Sequence, residues 1–263
     1  METPQKDLET QSFLNSFIDQ EIVKKTDLWH HFSSRNPVLS NNDFRRKLYA
    51  LEKTGLITPI GSGLFGINHS LSHPMKKKFK PLLSENVKEI NSILKKHFPY
   101  TPYLIWETKV IYEFMTHQPG QNRIVLDIDK SAIESVFNFL RDEYTSNLFI
   151  EPDQMTLEHY NNNSDDIILL LGLTTQSPKF KVNDIPTAKL EKILVDLFTD
   201  KNYFMIFHGR ELVNIFTNAF SNYWINPKTL FRYAGRRQVT NPLKEFIYTK
   251  TDIDLDKYLE ITL

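Results

Sequence analysis

Hydrophobic residues in the first third of the chain recur at the spacing of three short helices. The first helix is predicted to end near Glu21, and the second to begin at Thr26, whose hydroxyl suits an N-cap. Ser40 is the predicted N-cap of a third helix over residues 41–54, and Gly55 suits the C′ position that ends it. The apolar positions that define these helices are Phe13, Leu14, Phe17, Ile18, Leu28, Trp29, Phe32, Phe44, Leu48 and Leu51.

Two short runs of strand-forming residues follow the third helix. Residues 56–60 and 64–67 flank Gly61, Ser62 and Gly63, and a glycine-rich tip between two such runs is typical of a β-hairpin. Three helices followed by a two-stranded wing predict a winged helix-turn-helix. Modules of this kind bind DNA or serve as protein-interaction domains, so both interpretations stay open on the pattern alone.

The remainder of the chain predicts a mixed α/β body with a helical end. Strands are predicted at residues 103–106, 123–128, 147–150 and 166–171, and helices at residues 86–98 and 133–140. Pro186 is predicted to open a strongly periodic helix that includes Leu190 and Phe198, and every element after Asp200 is predicted to be helical. Helices and strands do not alternate evenly, so a doubly wound sheet is excluded and the predicted fold class is α+β.

The charged residues are distributed unevenly along the chain, although their total is balanced. The 263 residues include 32 basic and 32 acidic side chains, a formal net charge of +0. Residues 21–80 carry eleven basic and four acidic residues, a net charge of +7, which the other 203 residues balance with −7. This distribution predicts a basic winged helix-turn-helix over residues 1–70 that meets a polyanion, a basic linker over residues 71–84, and an α+β body over residues 85–263.

Composition excludes several classes of site. With no cysteine, the chain forms no disulfide, thiolate nucleophile or cysteine-bound metal cluster, which fits a reducing compartment. The longest apolar run, residues 167–173, is far shorter than the ~20 residues of a membrane-spanning helix. The N-terminus is polar and lacks an apolar signal core. We therefore expect a cytoplasmic protein that does not enter a membrane.

Polar residues on the third helix predict how this helix would read DNA. Several of them lie off the apolar stripe near the helix N-terminus, where a recognition helix presents side chains to the major groove. Arginine can donate two hydrogen bonds to guanine, and asparagine can pair with adenine. The predicted DNA-contact set is Ser40, Asn41, Asn42, Arg45, Arg46, Lys47, Tyr49 and Ser62.

Two further basic clusters have more than one interpretation. Lys76, Lys77 and Lys78 lie in the predicted linker, where they either extend the phosphate contacts or form part of a solvated tether. A later cluster, Arg232, Arg236 and Arg237, lies on a predicted helix beside aromatic residues. It suits a second phosphate contact, a partner-docking patch or an intramolecular salt-bridge face.

A nuclease-like pattern gives an alternative, enzymatic hypothesis. Glu107 and Lys109 have the E-x-K spacing of metal-dependent nucleases, and Asp127 or Asp129 is the further carboxylate that such a Mg²⁺ site needs. The acidic residue usually precedes the E-x-K pair, whereas here both candidates follow it. The same spacing also occurs often by chance, so the pattern ranks below DNA binding alone.

Other catalytic and metal patterns are incomplete. Asp127 and Asp129 also have the D-h-D spacing of nucleotidyltransferases, but the Gly-Ser turn that precedes this pair in those enzymes is missing. Two pairs of histidines, His30/His31 and His69/His73, lack accompanying carboxylates at metal-ligand spacing. The sequence has no P-loop, G-x-S-x-G or Rossmann fingerprint. We therefore predict a non-enzymatic protein without a metal or cofactor.

Two stretches about 120 residues apart match motifs of a known family. Residues 48–67, LYALEKTGLITPIGSGLFGI, end the predicted winged helix, and residues 185–198, IPTAKLEKILVDLF, contain the pattern P-x-x-x-L-E-K-x-L-V-D. With these motifs, the chain resembles the AbiE-type (AbiEi-like) antitoxins of bacterial type IV toxin–antitoxin systems. Residues 232–237, RYAGRR, are similar to the helical end of a related subfamily. The matched positions of the second motif, which suit core packing and structural ion pairs, are Leu190, Glu191, Lys192, Leu194, Val195 and Asp196.

The resemblance implies a two-part protein of bacterial phage defence by abortive infection. Its winged helix would bind inverted repeats of double-stranded DNA in its own promoter and repress transcription. Its body would counter a separately encoded nucleotidyltransferase-like toxin, without a tight complex in typical members. The acidic stretch over residues 151–166 departs from the simplest members. The alternatives are a Mg²⁺-dependent nuclease that the winged helix targets to nucleic acid, and an adaptor that binds only protein.

Overall fold

The computed structural model describes residues 4–69, 76–142, 144, 147–160 and 166–259. His73, most of the predicted linker before Lys76, and residues 161–165 of the acidic stretch lie outside this set. The chain forms two compact units. The N-terminal unit comprises Met1–Lys78, Phe220–Thr229 and Ile253–Leu263, and the body unit comprises Phe79–Ala219 and Leu230–Asp252.

Helices and strands succeed one another along the chain as follows. The first part contains α1 (Pro4–Ser16), β1 (Ile22–Lys24), α2 (Lys25–Arg35), α3 (Asn41–Lys53), β2 (Ile57–Gly61) and β3 (Leu64–Ile67). The middle contains α4 (Glu85–His97), β4 (Tyr103–Glu107), a 3-10 helix (Thr108–Phe114), β5 (Arg123–Ile128), α5 (Ile133–Leu140), β6 (Leu148–Ile150), α6 (Gln154–Tyr160), β7 (Ile167–Gly172), β8 (Lys179–Val182) and β9 (Ile185–Ala188). The last part contains α7 (Leu190–Thr199), α8 (Lys201–Phe204), a 3-10 turn (Met205–Phe207), α9 (Arg210–Asn222), α10 (Pro227–Arg236), α11 (Thr240–Lys250) and α12 (Leu255–Leu259).

The N-terminal unit contains a three-stranded antiparallel sheet in the order β1-β3-β2, with α1, α2 and α3 packed around a shared apolar core. The core side chains are Phe13, Phe17, Val23, Leu28, Leu39, Phe44, Leu48, Ile57, Phe65 and Ile67. The predicted three helices and the hairpin of β2 and β3 are confirmed, but α1 ends at Ser16 and not near Glu21 as predicted. Strand β1 was not predicted, because three residues are too few to show an alternating pattern.

The ends of α3 follow the predicted local signals. At its start, the Ser40 hydroxyl accepts a hydrogen bond from the Asp43 backbone N–H at 3.1 Å. At its end, Gly55 has a φ of 76°, and the N–H groups of Gly55 and Leu56 donate to carbonyls of the last helical turn. This is a Schellman ending, which favours glycine because it has no Cβ to clash at positive φ. The Thr26 prediction is wrong: α2 begins at Lys25, and the Asp27 carboxylate accepts from the Lys24 N–H.

A segment from much later in the chain completes the N-terminal unit. The Trp224 ring lies against Gly66 of β3, where a Cβ would come within 2.5 Å of the ring. Only glycine therefore fits at Gly66 without movement of the indole. The Asn226 side chain donates to the carbonyls of Ile60 and Gly61, both at 3.0 Å, so it satisfies two backbone acceptors beside the hairpin tip.

The body unit is built on a four-stranded sheet in the order β4-β5-β7-β6. Strands β4 and β5 are antiparallel, whereas β5, β7 and β6 are parallel and are connected through α5 and α6. The parallel strands are largely apolar and buried, as expected for strands covered on both faces. The predicted mixed α and β class with a helical C-terminal end is confirmed.

A second hairpin, β8 and β9, replaces a predicted helix start. Pro186 lies in β9 and pairs with Lys181, and α7 begins only at Leu190. The turn residues Asn183 and Asp184 have φ values of 48° and 63°, which is the backbone of a two-residue type I′ turn. Asn and Asp tolerate positive φ and are common in such turns, which is why these two residues can reverse the chain before α7. Among the described residues, no helix is long and apolar enough to cross a membrane.

Candidate nucleic-acid interface

The outer side of α3 presents a continuous set of polar side chains to solvent. The apolar stripe points inward, with Phe44 and Leu48 buried at 4% and 6% exposure. Because 3.6 residues make one helical turn, the positions between these two anchors must face outward. We call the exposed side chains of this surface the reading face: Asn41, Asn42, Arg45, Arg46 and Tyr49.

The charges of the reading face are only weakly neutralised by the protein. Arg46 contacts Asp43 at 3.6 Å, but its side chain is 82% exposed, so the pair is screened by water. Arg45 forms no ion pair with any residue in the described part of the chain. Lys47 is also exposed, and its ammonium lies 5.2 Å from the centre of the Phe32 ring. All three cations can therefore reach an external anion.

The starts of α2 and α3 enclose a small polar cleft beside the reading face. It has a volume of about 240 Å³, and its polar lining comes from Lys25, Thr26, Asn41 and Arg45. Its apolar lining is Trp29 and Phe44, whose rings meet edge to face with centroids 5.0 Å apart. Helix N-termini carry partial positive charge, which together with Lys25 and Arg45 suits a phosphate group.

The hairpin tip is fixed next to this cleft. Gly61, Ser62 and Gly63 all have positive φ, at 93°, 55° and 71°, a conformation that glycine adopts without strain. The Lys25 N–H donates to the Gly63 carbonyl at 2.8 Å, which ties the tip to the start of α2. Ser62 is exposed. Together with Ser40 at the helix cap, all eight residues of the predicted DNA-contact set are thus exposed on the N-terminal unit.

The predicted linker lysines differ in their availability. Lys76 forms an ion pair with Glu21, lies 3.3 Å from the Tyr258 hydroxyl and sits 5.4 Å from the centre of the Trp224 ring. Its side chain is only 18% exposed, so Lys76 is held by partners within the N-terminal unit. Lys77 and Lys78 have exposed side chains. They remain predicted phosphate contacts.

The late arginine cluster divides between internal and exposed positions. Arg237 contacts Asp196 at 2.9 Å and Asp200 at 2.5 Å, as in the salt-bridge interpretation. Arg236 donates to the Gln176 side chain at 3.3 Å and is exposed, as is Arg232. Only the latter two arginines are therefore available to a partner.

Arg237 belongs to a buried network of charges in the body unit. The Lys192 ammonium is fully buried, 2.9 Å from Asp127 and in contact with Asp196. The Trp106 indole donates to Asp127 at 3.3 Å, and the Tyr233 hydroxyl donates to Asp196 at 2.9 Å. These pairs confirm the ion-pair interpretation of Lys192 and Asp196 in the family-like motif. Asp127 was not predicted as their partner, because it lies 65 residues before Lys192.

Burial and neighbouring charge set the protonation of this network. Burial raises the pKa of Asp127, although Lys192 opposes the shift. Burial, followed by the charge of Asp196, raises the pKa of Asp200 to about 6, against the lowering influence of Arg237. Burial opposes the charged form of Lys192, but Asp127 and Asp196 outweigh it and raise its pKa. The network is therefore a structural device that keeps a buried ammonium charged.

The nuclease-like residues are not brought together. Asp127 pairs across the sheet with Leu104, and Glu107 lies three positions further along β4, so the two carboxylates point to opposite faces. Glu107 is buried and accepts from the Ser84 N–H at 2.7 Å and from the Asn122 amide at 2.9 Å. Lys109 instead lies 3.6 Å from Asp166. The predicted Mg²⁺ site is therefore not formed by these residues.

The remaining metal and nucleotide patterns also have protein partners. Asp129 accepts hydrogen bonds from the N–H and hydroxyl of Ser131, at 3.1 and 2.6 Å. His31 packs against the rings of Phe13 and Phe17, and His69 contacts the Gln20 carbonyl. Within the described ranges, no group of three or more His, Asp or Glu residues is placed to hold a metal ion.

Comparison with known proteins gives a family but no activity. A protein family of unknown function (DUF6577) matches residues 43–253, which include most of α3 and the whole body unit. No curated protein matches the chain. Any functional assignment therefore depends on the residues themselves.

Proposed function

The chain belongs to the DUF6577 family, whose function is unknown, and we propose that its N-terminal unit is a winged helix-turn-helix that binds double-stranded DNA. In this proposal, α3 lies in the major groove and its reading face contacts base edges. One observation carries the proposal. Phe44 and Leu48 anchor α3 in the core, while every polar side chain of the reading face is left exposed.

The order of elements supports the proposal. The unit runs α1-β1-α2-α3-β2-β3, and β1 pairs with the hairpin to make a three-stranded sheet. In the proposal, α2 and α3 are the helix-turn-helix, and β2 and β3 are the wing. The wing is short, because only Gly61, Ser62 and Gly63 form its tip region. Sequence reading is therefore assigned to α3 and not to the wing.

Charge supports phosphate binding beside the reading face. In the proposal, Lys25 supplies the phosphate-binding charge of the cleft between the starts of α2 and α3, and Arg45, which also lines it, contacts a base. In helix-turn-helix proteins the first helix of the pair crosses the DNA backbone, so this cleft is the proposed phosphate position. Lys77 and Lys78 would add non-specific affinity.

The test measures binding of the full chain to the DNA upstream of its own coding sequence, by fluorescence anisotropy over a range of salt concentrations. Arg45→Ala is expected to cost about 1–3 kcal/mol if Arg45 reads a base. Lys25→Ala is expected to weaken binding to all sequences and to reduce the salt slope by about one. Lys181→Ala removes an exposed lysine of the body unit and is the matched control. Equal binding by Arg45→Ala and the control, or equal affinity for scrambled DNA, contradicts the assignment of α3.

The resemblance to AbiE-type antitoxins extends the proposal to autorepression and to antitoxin activity against a nucleotidyltransferase-like toxin. On this proposal the protein acts in the bacterial cytoplasm, where its promoter lies. The test co-expresses the chain with a neighbouring nucleotidyltransferase-like gene and measures growth. Arg45→Ala is expected to lose repression but to keep growth protection, because the body would counter the toxin. If growth is not restored while promoter binding persists, the antitoxin part fails and the DNA-binding part stands.

A further inference from the structure

The body unit has a cleft that the DNA-binding proposal does not use. It lies between the end of α7, the start of α9 and α11, with a volume of about 610 Å³. Small-molecule sites typically have volumes of roughly 300–1,000 Å³ and mostly apolar walls. Here the apolar wall includes Phe198, Leu212 and Phe246, and the rings of Phe198 and Phe246 lie 5.3 Å apart.

The rim of the cleft is cationic. Lys201, Arg210 and Lys250 line it, and all three side chains belong to exposed residues. None of them forms an ion pair with a residue that the structure describes. The described residues that line the cleft include no acidic residue. Three uncompensated cations around an apolar wall favour a ligand with an anionic head and an apolar tail.

Two polar features also belong to this cleft. His208 lines the cleft, and its Nε2 atom is buried without a hydrogen-bond partner among the described residues. Burial lowers the pKa of the His208 imidazole, and a backbone hydrogen bond to Leu197 opposes this shift. Gly209 precedes α9 at a φ of 70° and has no side chain to cap the first amide groups of this 13-residue helix. A buried nitrogen without a partner costs free energy that a ligand head group would recover.

We propose that this cleft binds a small amphipathic carboxylate of the medium-chain fatty-acid type. The tail would cover Phe198 and Phe246, and the carboxyl group would lie among Lys201, Arg210 and Lys250. A carboxyl group and the His208 imidazole can share one proton across a hydrogen bond, which satisfies Nε2. A neutral alcohol of the same length matches the apolar wall but not the cationic rim. This site is independent of the proposed DNA-binding function.

The experiment titrates the full chain with decanoate by calorimetry and compares decanol and acetate. Decanoate is expected to bind with a Kd below about 1 mM, with decanol at least about tenfold weaker and acetate without measurable binding. The double variant Arg210→Ala/Lys250→Ala is expected to weaken decanoate about five- to tenfold and to leave decanol unchanged. Lys181→Ala, an exposed lysine outside the cleft, is the matched control and is expected to bind like the wild type.

A second variant tests the apolar wall. Val213 is half-buried and lines the cleft, so Val213→Phe narrows it without removing a cation. It is expected to abolish decanoate binding while thermal unfolding by circular dichroism shows a folded chain. Equal binding of decanol and decanoate, or full binding by both variants, overturns the proposal. It also fails if sedimentation shows a dimer that Val213→Phe converts to a monomer, because the cleft is then a subunit interface.

Discussion

Replacement of Lys192 by methionine tests whether the buried charge network is held together by this one ammonium. Lys192→Met keeps a long unbranched side chain and removes only the charge and its hydrogen bonds. Asp196 retains Arg237 and the Tyr233 hydroxyl as partners. Asp127 keeps only the Trp106 indole, because Lys192 is its one ion-pair partner among the described residues.

The expected loss of stability follows because Asp196 keeps two partners whereas Asp127 keeps only one. Breaking a buried ion pair by removing one partner typically costs about 3–5 kcal/mol, because the remaining charge is buried without compensation. The free energy of unfolding of a typical domain is about 5–15 kcal/mol, so this loss is a large fraction of it. An exposed lysine such as Lys181 offers the contrast, because surface substitutions usually change stability by less than about 0.5 kcal/mol.

The stability that Lys192→Met loses is expected to depend on pH, in a direction set by Asp127. Without Lys192, the pKa of Asp127 rises further above its unfolded value, because burial then acts unopposed by that cation. A carboxyl group whose pKa is higher in the folded state than in the unfolded state stabilises the fold at low pH. This stabilisation is lost as the pH rises through the pKa of the folded state. The difference in stability between wild type and Lys192→Met is therefore expected to be larger near about pH 8 than near about pH 5.

The assay is urea unfolding followed by circular dichroism, with Lys181→Met as the matched control. The double variant Asp127→Asn/Lys192→Met is expected to regain part of the lost stability, because the uncompensated carboxylate is removed. Two results would refute the reasoning: a Lys192→Met variant as stable as the control at both pH values, or a double variant no more stable than Lys192→Met.

Three further substitutions test other parts of the structure. Burial raises the pKa of Asp200 from 3.8 to about 6, so its contribution to stability is expected to fall by about 3 kcal/mol as the pH increases from about 4 to about 6. Asp200→Asn should remove this pH dependence from the urea midpoint of unfolding. Parallel curves of midpoint against pH for the wild type and the variant would contradict the prediction. Gly66→Ala is expected to lower the free energy of unfolding by about 1–3 kcal/mol, because the added methyl group collides with the Trp224 ring. When Trp224 is already replaced by alanine, Gly66→Ala is expected to add little further loss in the same assay. Ser40→Ala should cost about 1 kcal/mol through loss of the α3 cap, whereas Ser40→Thr should retain stability, because it keeps the hydroxyl that also donates to the Asp43 carboxylate at 2.6 Å.

Local signals determined most of the secondary structure. Ser40 and Gly55 predicted the ends of α3 because capping hydrogen bonds and positive φ involve only neighbouring residues. Residues 123–128 formed the predicted strand, since a short, strongly apolar run bounded by polar residues carries its own signal. The hairpin around Asn183 shows the limit: its turn signal was local, but a stronger neighbouring periodicity obscured it.

The sequence by itself determined most of the helices and strands, the basic character of the first part of the chain and the candidate residues on α3. Tertiary structure alone decided that Asp127 meets Lys192, that Asp127 and Glu107 face opposite sides of the sheet, and that Trp224 covers Gly66. The physical reason is the distance along the chain over which each kind of interaction acts. Caps, turns and periodicity act over a few residues, whereas these pairings join positions tens to more than a hundred residues apart and depend on how the elements pack.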